Sequence, residues 1–147
     1  MTIDVNSTVE GWERNLRATV PHEYAHACYF ERTGGRGDLD TTWEYLLFEA
    51  QSQNFAAAVS PDVEPPWRDH VDSEVLERWW PEIRDHRLDE DGEAGAELFF
   101  GSDDIPYWLG YTLGYHVGDW LLDHHDIDEF PDLRKVDVVR AGDALYG

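Results

Sequence analysis

Two histidines four residues apart, His22 and His26, flank a glutamate in the segment His22-Glu23-Tyr24-Ala25-His26. On an α-helix, positions i and i+4 lie on the same face, so both imidazoles can reach one metal ion. Glu23, the next residue after His22, can take a proton from a water held at the open metal position. The pattern therefore predicts a zinc site of the hydrolytic type, carried by a helix.

The same pattern also fits an amphipathic helix that carries two surface histidines and no metal. The surrounding residues favour the zinc site, because they predict a largely buried helix whose histidines need polar partners. These residues are Val20, Ala25, Ala27, Cys28, Tyr29 and Phe30. Cys28 lies two positions beyond His26 on another face of the helix, and we expect it to fill the core rather than bind metal.

A catalytic zinc usually takes three protein ligands, and the next predicted helix offers two carboxylates for the third. Glu44 is explained by a Thr41-x-x-Glu44 capping box at the helix start. Glu49 lies among apolar neighbours, where an unpaired carboxylate would be costly, and is therefore the better candidate. The alternative is that Glu49 pairs with an arginine such as Arg14 or Arg17.

The chain has 147 residues, 41% of them hydrophobic and 14% aromatic, which excludes a disordered protein and predicts one domain over residues 1–147. Its formal charge is −21, from 32 acidic and 11 basic residues, of which Lys135 is the only lysine. Acidic residues spread along the chain with almost no lysine indicate adaptation to molar salt, where charge repulsion is screened. An acidic patch for a basic partner is the alternative interpretation.

This composition also restricts partners and location. No basic face is available for phosphates, so nucleic acid is not an expected partner. No signal peptide or apolar run of membrane-spanning length is visible, so no membrane partner is expected. Because Cys28 is the single cysteine, no internal disulfide can form, and we expect a cytoplasmic protein.

Hydrophobic periodicity and helix-capping signals predict a mainly α protein with little or no β-sheet. Gly110, Gly114 and Gly118 recur every four residues and predict a helix face against which another backbone packs closely. Ser7 is the expected N-cap of the first helix, Pro21 should kink that helix or start a second one, and residues 33–37 connect it to the next. The predicted helices cover residues 8–32, 40–59, 73–88 with an interruption at Pro81, 106–124 and 131–144, and residues 89–95 form an exposed acidic segment.

Three segments together resemble a family of zinc-dependent proteases that is known only as a domain of unknown function. The family shows a His-Glu-x-x-His helix, a later glutamate in a Ser-Glu-Gly-Leu-Ala-Glu-like segment, and an Ile-Pro-x-x-x-Gly-Tyr-x-x-Gly-Tyr stretch. The last corresponds to Ile105–Tyr115, and the similarity extends in order from about Leu16 to the end. The middle segment keeps Glu49 but has Ala50 for the family's glycine and Gln53 for its second glutamate.

The resemblance implies the helical core of a zincin metallopeptidase, with Zn²⁺ held by His22, His26 and Glu49. It implies Glu23 as general base and a peptide or protein as substrate. Tyr111 or Tyr115 could then donate a hydrogen bond to the developing oxyanion, and His116 could support the site or donate a proton. The alternative for both tyrosines is a buried structural role.

Only 21 residues precede His22, whereas zinc peptidases generally place before this helix a sheet whose edge strand pairs with the substrate. The peptide cleft is therefore expected to be abbreviated, shared across a homodimer, or absent.

The leading hypothesis is a zinc peptidase. The second is a non-catalytic helical protein that uses zinc structurally or not at all and acts through protein contacts. The third is a partner-binding module with an exposed surface of Trp67, Trp79, Trp80 and Trp108.

Overall fold

The computed structural model describes residues 2–34 and 39–147, and within these ranges it contains helices and no strand. The predicted mainly α fold is thus confirmed, and no helix in these ranges has the length and apolarity needed to cross a membrane. Residues 35–37 of the predicted connection lie outside the described part. The α-helices are α1 Trp12–Arg32, α2 Thr42–Val59, α3 Ser73–Glu82, α4 Gly92–Phe100, α5 Leu109–Leu121 and α6 Lys135–Tyr146, with a π-helical turn at Ile83–Arg87 and a 3₁₀ turn at Ile127–Asp132.

Helix α1 begins four residues later than predicted, and Ser7 is not its N-cap. The N-cap is Gly11, whose left-handed φ of 78° suits a residue without a Cβ. The helix continues through Pro21, so no second helix starts there. Proline has no N–H to donate to the Arg17 carbonyl, and the Ser60 hydroxyl donates to that carbonyl instead, at 2.8 Å.

Helix α2 is the centre of the fold and packs against both α1 and α5. Its predicted capping box is present, since Glu44 Oε2 accepts the Thr41 N–H at 2.9 Å. Helix α2 has no single apolar stripe, because buried residues surround it from Leu46 to Asn54. Two of the buried polar residues find partners in α5: the Gln53 amide donates to the Tyr111 carbonyl at 2.9 Å, and that of Asn54 to the Tyr115 carbonyl at 3.1 Å. Gln53 makes this bond with an N–H that an ionised glutamate lacks.

The glycine face of α5 packs closely against its neighbours, as predicted. A Cβ built on Gly118 would lie 2.8 Å from the Ala50 carbonyl oxygen, and one on Gly114 would lie 3.6 Å from the Glu49 Cβ. Gly110 faces the Phe99 ring of α4, which a Cβ would approach to 2.7 Å. The missing side chain at Gly118 therefore lets α5 approach α2 closely beside Ala50, whereas a Cβ at Gly114 would make only ordinary contact with Glu49.

Helix α4 is not among the predicted helices, because the sequence predicts an exposed segment at residues 89–95. Their second half belongs to α4, and Gly95 is buried where a Cβ would lie 2.8 Å from Thr42 Oγ1. Glycine here reflects close packing between helices rather than a loop. The interruption predicted at Pro81 occurs after Glu82 instead. The last helix, α6, begins at Lys135 rather than at the predicted residue 131, because Pro131 lies in the 3₁₀ turn.

Helix α5 begins three residues after Pro106, because Trp108 interrupts the expected start. Trp108 has φ 61° and ψ 16°, the left-handed conformation that residues with a Cβ rarely adopt, and it is the N-cap of α5. For such residues the conformation costs about 1–2 kcal/mol. A functional or packing constraint must therefore hold this indole in place.

This strain leads to a prediction about two substitutions that remove the same indole. Trp108→Gly is expected to be more stable than Trp108→Ala by about 1 kcal/mol, because only glycine adopts the left-handed conformation without cost. Denaturant unfolding would measure the difference. At the exposed helical position Ala27, glycine should instead be the less stable residue by about 1 kcal/mol. An alanine variant at 108 as stable as the glycine variant would contradict the assignment of strain.

Candidate metal centre

Helix α1 places His22 and His26 on one face, with their ring centroids 4.5 Å apart. Each side chain is 12% exposed, and the His26 ring stacks on Phe48 with centroids 3.7 Å apart. The opposite side of α1 is more open than predicted, because Val20, Ala27 and Cys28 are exposed. The expectation that Cys28 fills the core is therefore wrong: the core lies on the histidine side only.

Helix α2 brings Glu49 to the two imidazoles. The residue is 2% exposed, with Oε2 3.5 Å from His22 Nε2 and Oε1 3.4 Å from His26 Nε2. Arg17, one of the alternative partners of Glu49, instead forms two 3.0 Å hydrogen bonds with Asp62. Within the described residues, Glu49 thus faces the two histidines rather than an arginine.

Each of these two separations, measured to a different carboxylate oxygen, is longer than a good hydrogen bond and matches the spacing of two ligand atoms around one metal ion. Zinc–ligand distances of about 2.0–2.2 Å place two tetrahedral ligand atoms roughly 3.3–3.6 Å apart, whereas a good hydrogen bond is about 2.7–3.2 Å. Glu49 Oε2 is fully buried and has no hydrogen-bond partner within the described residues. A buried carboxylate oxygen without a donor is costly, and a cation at this point would satisfy it.

Burial sets the protonation of the three groups in a way that suits metal binding. It lowers the pKa of His22 and of His26 to about 4, so both imidazoles are neutral at neutral pH. Burial raises the pKa of Glu49 to about 7, although His22 and the nearby Tyr45 hydroxyl partly oppose this rise. Neutral imidazoles and a carboxylate that ionises readily beside a cation are the forms that a divalent metal requires.

The Glu49 pKa predicts how zinc affinity depends on pH. Below pH 7 zinc must displace a proton from Glu49, so affinity should fall about tenfold per pH unit, and more steeply below about pH 4 as the imidazoles protonate. Competition with a coloured chelator between pH 5 and 8 would measure this dependence. Glu49→Gln should bind more weakly with little pH dependence in that range, and a flat wild-type profile would contradict the prediction.

Glu23 completes the cluster on the solvent side. It is half-buried, and one oxygen of its carboxylate lies with a ring nitrogen of each histidine in a group whose atoms are all within 4.8 Å of one another. Within the described residues this is the one group of three or more such side chains with that spacing. Glu23 is thus placed beside the two histidines rather than buried with Glu49.

A cavity of about 580 Å³ opens onto the cluster. Of the three other predicted site residues, one lines this cavity and two do not. Tyr111 lines this cavity together with His22, Glu23 and Glu49, whereas Tyr115 and His116 do not. His116 instead bonds Asp69 through Nε2 at 2.8 Å and the Tyr146 hydroxyl through Nδ1. The Tyr115 ring lies under the Arg68 guanidinium, 4.8 Å from its carbon. The geometry therefore gives no support to a role for Tyr115 or His116 at the cluster.

Tyr45 is the site residue that sequence reasoning missed. It lies one helical turn before Glu49, lines the cavity, and its hydroxyl interacts with both Glu49 and Tyr111. Burial and the nearby carboxylate raise its pKa to about 12, and the same causes raise the pKa of Tyr111, so both phenols remain protonated donors. The i−4 spacing from a candidate ligand was the available signal.

The tryptophans do not form the exposed surface of the third hypothesis. Trp80 is 1% exposed in the core, where its indole N–H donates to Asp143 Oδ1 at 2.8 Å. Trp67 and Trp108 line the cavity beside the cluster.

The family described as "Predicted Zn-dependent protease (DUF2268)" matches residues 3–138. No curated protein and no solved structure matches the chain significantly.

Proposed function

Because the chain belongs to the family of predicted Zn-dependent proteases, we propose that it is a zinc peptidase whose site consists of His22, His26, Glu49 and Glu23. The observation that carries this proposal is the buried Glu49 carboxylate, which lies within 3.5 Å of both imidazoles and has an oxygen without a donor. Zinc at such a site supplies Lewis acidity that polarises a carbonyl and lowers the pKa of a water to about 7.

The residues around the cluster supply the remaining steps of amide hydrolysis. Glu23, on the cavity side, would accept a proton from the attacking water and pass it to the leaving amine. The Tyr111 phenol would donate a hydrogen bond to the carbonyl oxygen as negative charge develops there. Tyr45 would hold the Glu49 carboxylate in position.

The alternative, a structural zinc site in a non-catalytic protein, fits the geometry less well. Structural zinc usually has four protein ligands and no access for substrate. Here three candidate ligands converge, and a 580 Å³ cavity adjoins them. This arrangement supports an open coordination position that water and substrate can reach.

The decisive experiment combines metal content with peptide hydrolysis. Protein purified in high salt without chelators is expected to contain one zinc per chain by elemental analysis and to cleave a fluorogenic peptide mixture. Chelation should abolish cleavage, and added zinc should restore it. A full complement of zinc without cleavage of any peptide would favour the structural alternative.

The cytoplasmic location, the adaptation to salt and a homodimer remain predictions.

A further inference from the structure

Beyond the histidine–glutamate cluster, the cavity is bounded mainly by rings from distant parts of the chain. We call six of these residues the aromatic wall: Phe30, Tyr45, Trp67, Phe100, Tyr107 and Trp108. The wall adjoins Tyr111 and the cluster within one cavity, so a molecule in contact with these rings would also lie beside Glu23 and Glu49.

Three rings of the wall, those of Trp67, Tyr107 and Trp108, contact one another, so this part of the pocket is packed without a ligand. Tyr107 and Trp108 stack with centroids 4.4 Å apart, and Trp67 meets Trp108 edge-on at 6.2 Å. The Trp67 backbone is held in turn, because its carbonyl accepts a hydrogen bond from the buried Thr112 hydroxyl at 3.1 Å. A wall preorganised in this way loses little conformational entropy on binding.

Two features indicate that the wall serves a ligand rather than the fold. Trp108 holds its indole at the cavity from a strained left-handed backbone, and strain of this kind clusters at binding and active sites. Phe100 and Tyr107, at the same cavity, are 56% and 51% exposed. Exposed rings beside a cavity that also holds convergent polar groups are typical of ligand sites.

We propose that the aromatic wall is the specificity pocket of the enzyme and binds an aromatic or large aliphatic side chain next to the scissile bond. The cavity volume of about 580 Å³ lies within the range of small-ligand sites, about 300–1,000 Å³, and suits a short stretch of extended peptide. The identification of the ligand as a peptide rests on the proposed function. The preference for apolar rings or branched chains rests on the wall itself.

Binding can be tested without catalysis in Glu23→Gln protein. The probes are N-acetyl-phenylalaninamide and N-acetyl-leucinamide, compared with N-acetyl-glutaminamide, which is similar in size but polar. Titration followed by NMR is expected to show that both apolar amides bind at least about tenfold more tightly than the glutamine amide. This factor corresponds to a difference of about 1.4 kcal/mol in binding free energy. Equal binding of the three amides would overturn the proposal.

Variants locate the pocket. Trp108→Ala in the Glu23→Gln background should weaken phenylalaninamide binding at least about tenfold, whereas Trp108→Phe should retain most of it. Trp120→Ala is the matched control, because Trp120 is also partly buried but stacks on His124, outside the cavity. Should Trp108→Ala fail to fold, Tyr107→Ala and Phe100→Ala remove exposed rings, and each should weaken binding severalfold. Unchanged binding in the folded wall variants would overturn the proposal.

The outcomes separate this inference from the proposed function. Apolar amides that bind as expected to a protein that cleaves no peptide would overturn the peptidase and leave the pocket intact. Equal kcat/KM for peptides with glutamine and with phenylalanine at the cleavage site would leave the peptidase intact and overturn the pocket.

Discussion

Glu23→Gln is expected to lower peptide hydrolysis by about 10²–10⁴-fold while the protein keeps one zinc per chain. An amide has the shape of the carboxylate but cannot accept the proton of the attacking water, and general-base catalysis contributes about this factor. Zinc retention is expected because the proposed ligands are His22, His26 and Glu49, and Glu49 is the buried carboxylate. The measurements are kcat/KM on a fluorogenic peptide and elemental analysis of the same preparation.

Glu13→Gln is a suitable control, because it makes the same change at an exposed position in the first turn of α1. It should leave both rate and zinc content unchanged. If Glu23→Gln lost its zinc, Glu23 would be a ligand rather than a base. Wild-type rates in Glu23→Gln with zinc bound would exclude the proposed mechanism.

His22→Ala is expected to remove both zinc and activity. The substitution deletes one of three proposed ligands, and because loss of even an outer-shell partner typically weakens metal affinity 10–100-fold, loss of a ligand should exceed about 100-fold. Folding of the metal-free protein should persist, because α1 and α2 also pack through residues such as Ala25, Tyr29 and Phe48. Zinc titration by competition and circular dichroism would measure the two effects separately.

His116→Ala is the matched control for this loss. His116 is also a partly buried histidine, but its ring contacts Asp69 and Tyr146 rather than the cluster. The variant should bind zinc with unchanged affinity and lose only some stability. A similar loss of zinc in His116→Ala and His22→Ala would mean that the metal centre has been assigned to the wrong residues.

Features encoded in short stretches of sequence were predictable. The Thr41–Glu44 capping box forms as expected, because both partners lie within one helical turn. The glycine face of α5 was also predictable, since residues four positions apart on a helix lie on the same face. The placement of His22, Glu23 and His26 on one stretch of helix follows from their spacing alone.

Features that depend on distant residues were not predictable. Gly95 looked like a loop residue, but it is a helical residue that lets α4 approach Thr42, which lies 53 positions earlier in the sequence. Cys28 looked like a core residue, and the packing of α1 on α2 through its other face leaves it exposed. The left-handed Trp108 follows a proline that would otherwise suit the first turn of a helix.

The sequence alone therefore determined the helical class, the family and the grouping of His22, Glu23 and His26 on one stretch of helix, because these depend on residue types and on spacing within one or two helical turns. Only the tertiary structure decided that the Glu49 carboxylate meets both imidazoles, that Tyr111 rather than Tyr115 or His116 lines the cavity, and that Tyr45 belongs to the site. The physical reason is that such contacts between distant residues depend on the orientations of α1, α2 and α5 and on the distances between these helices. Many side chains set that arrangement together, and Gly118 contributes through the absence of a Cβ.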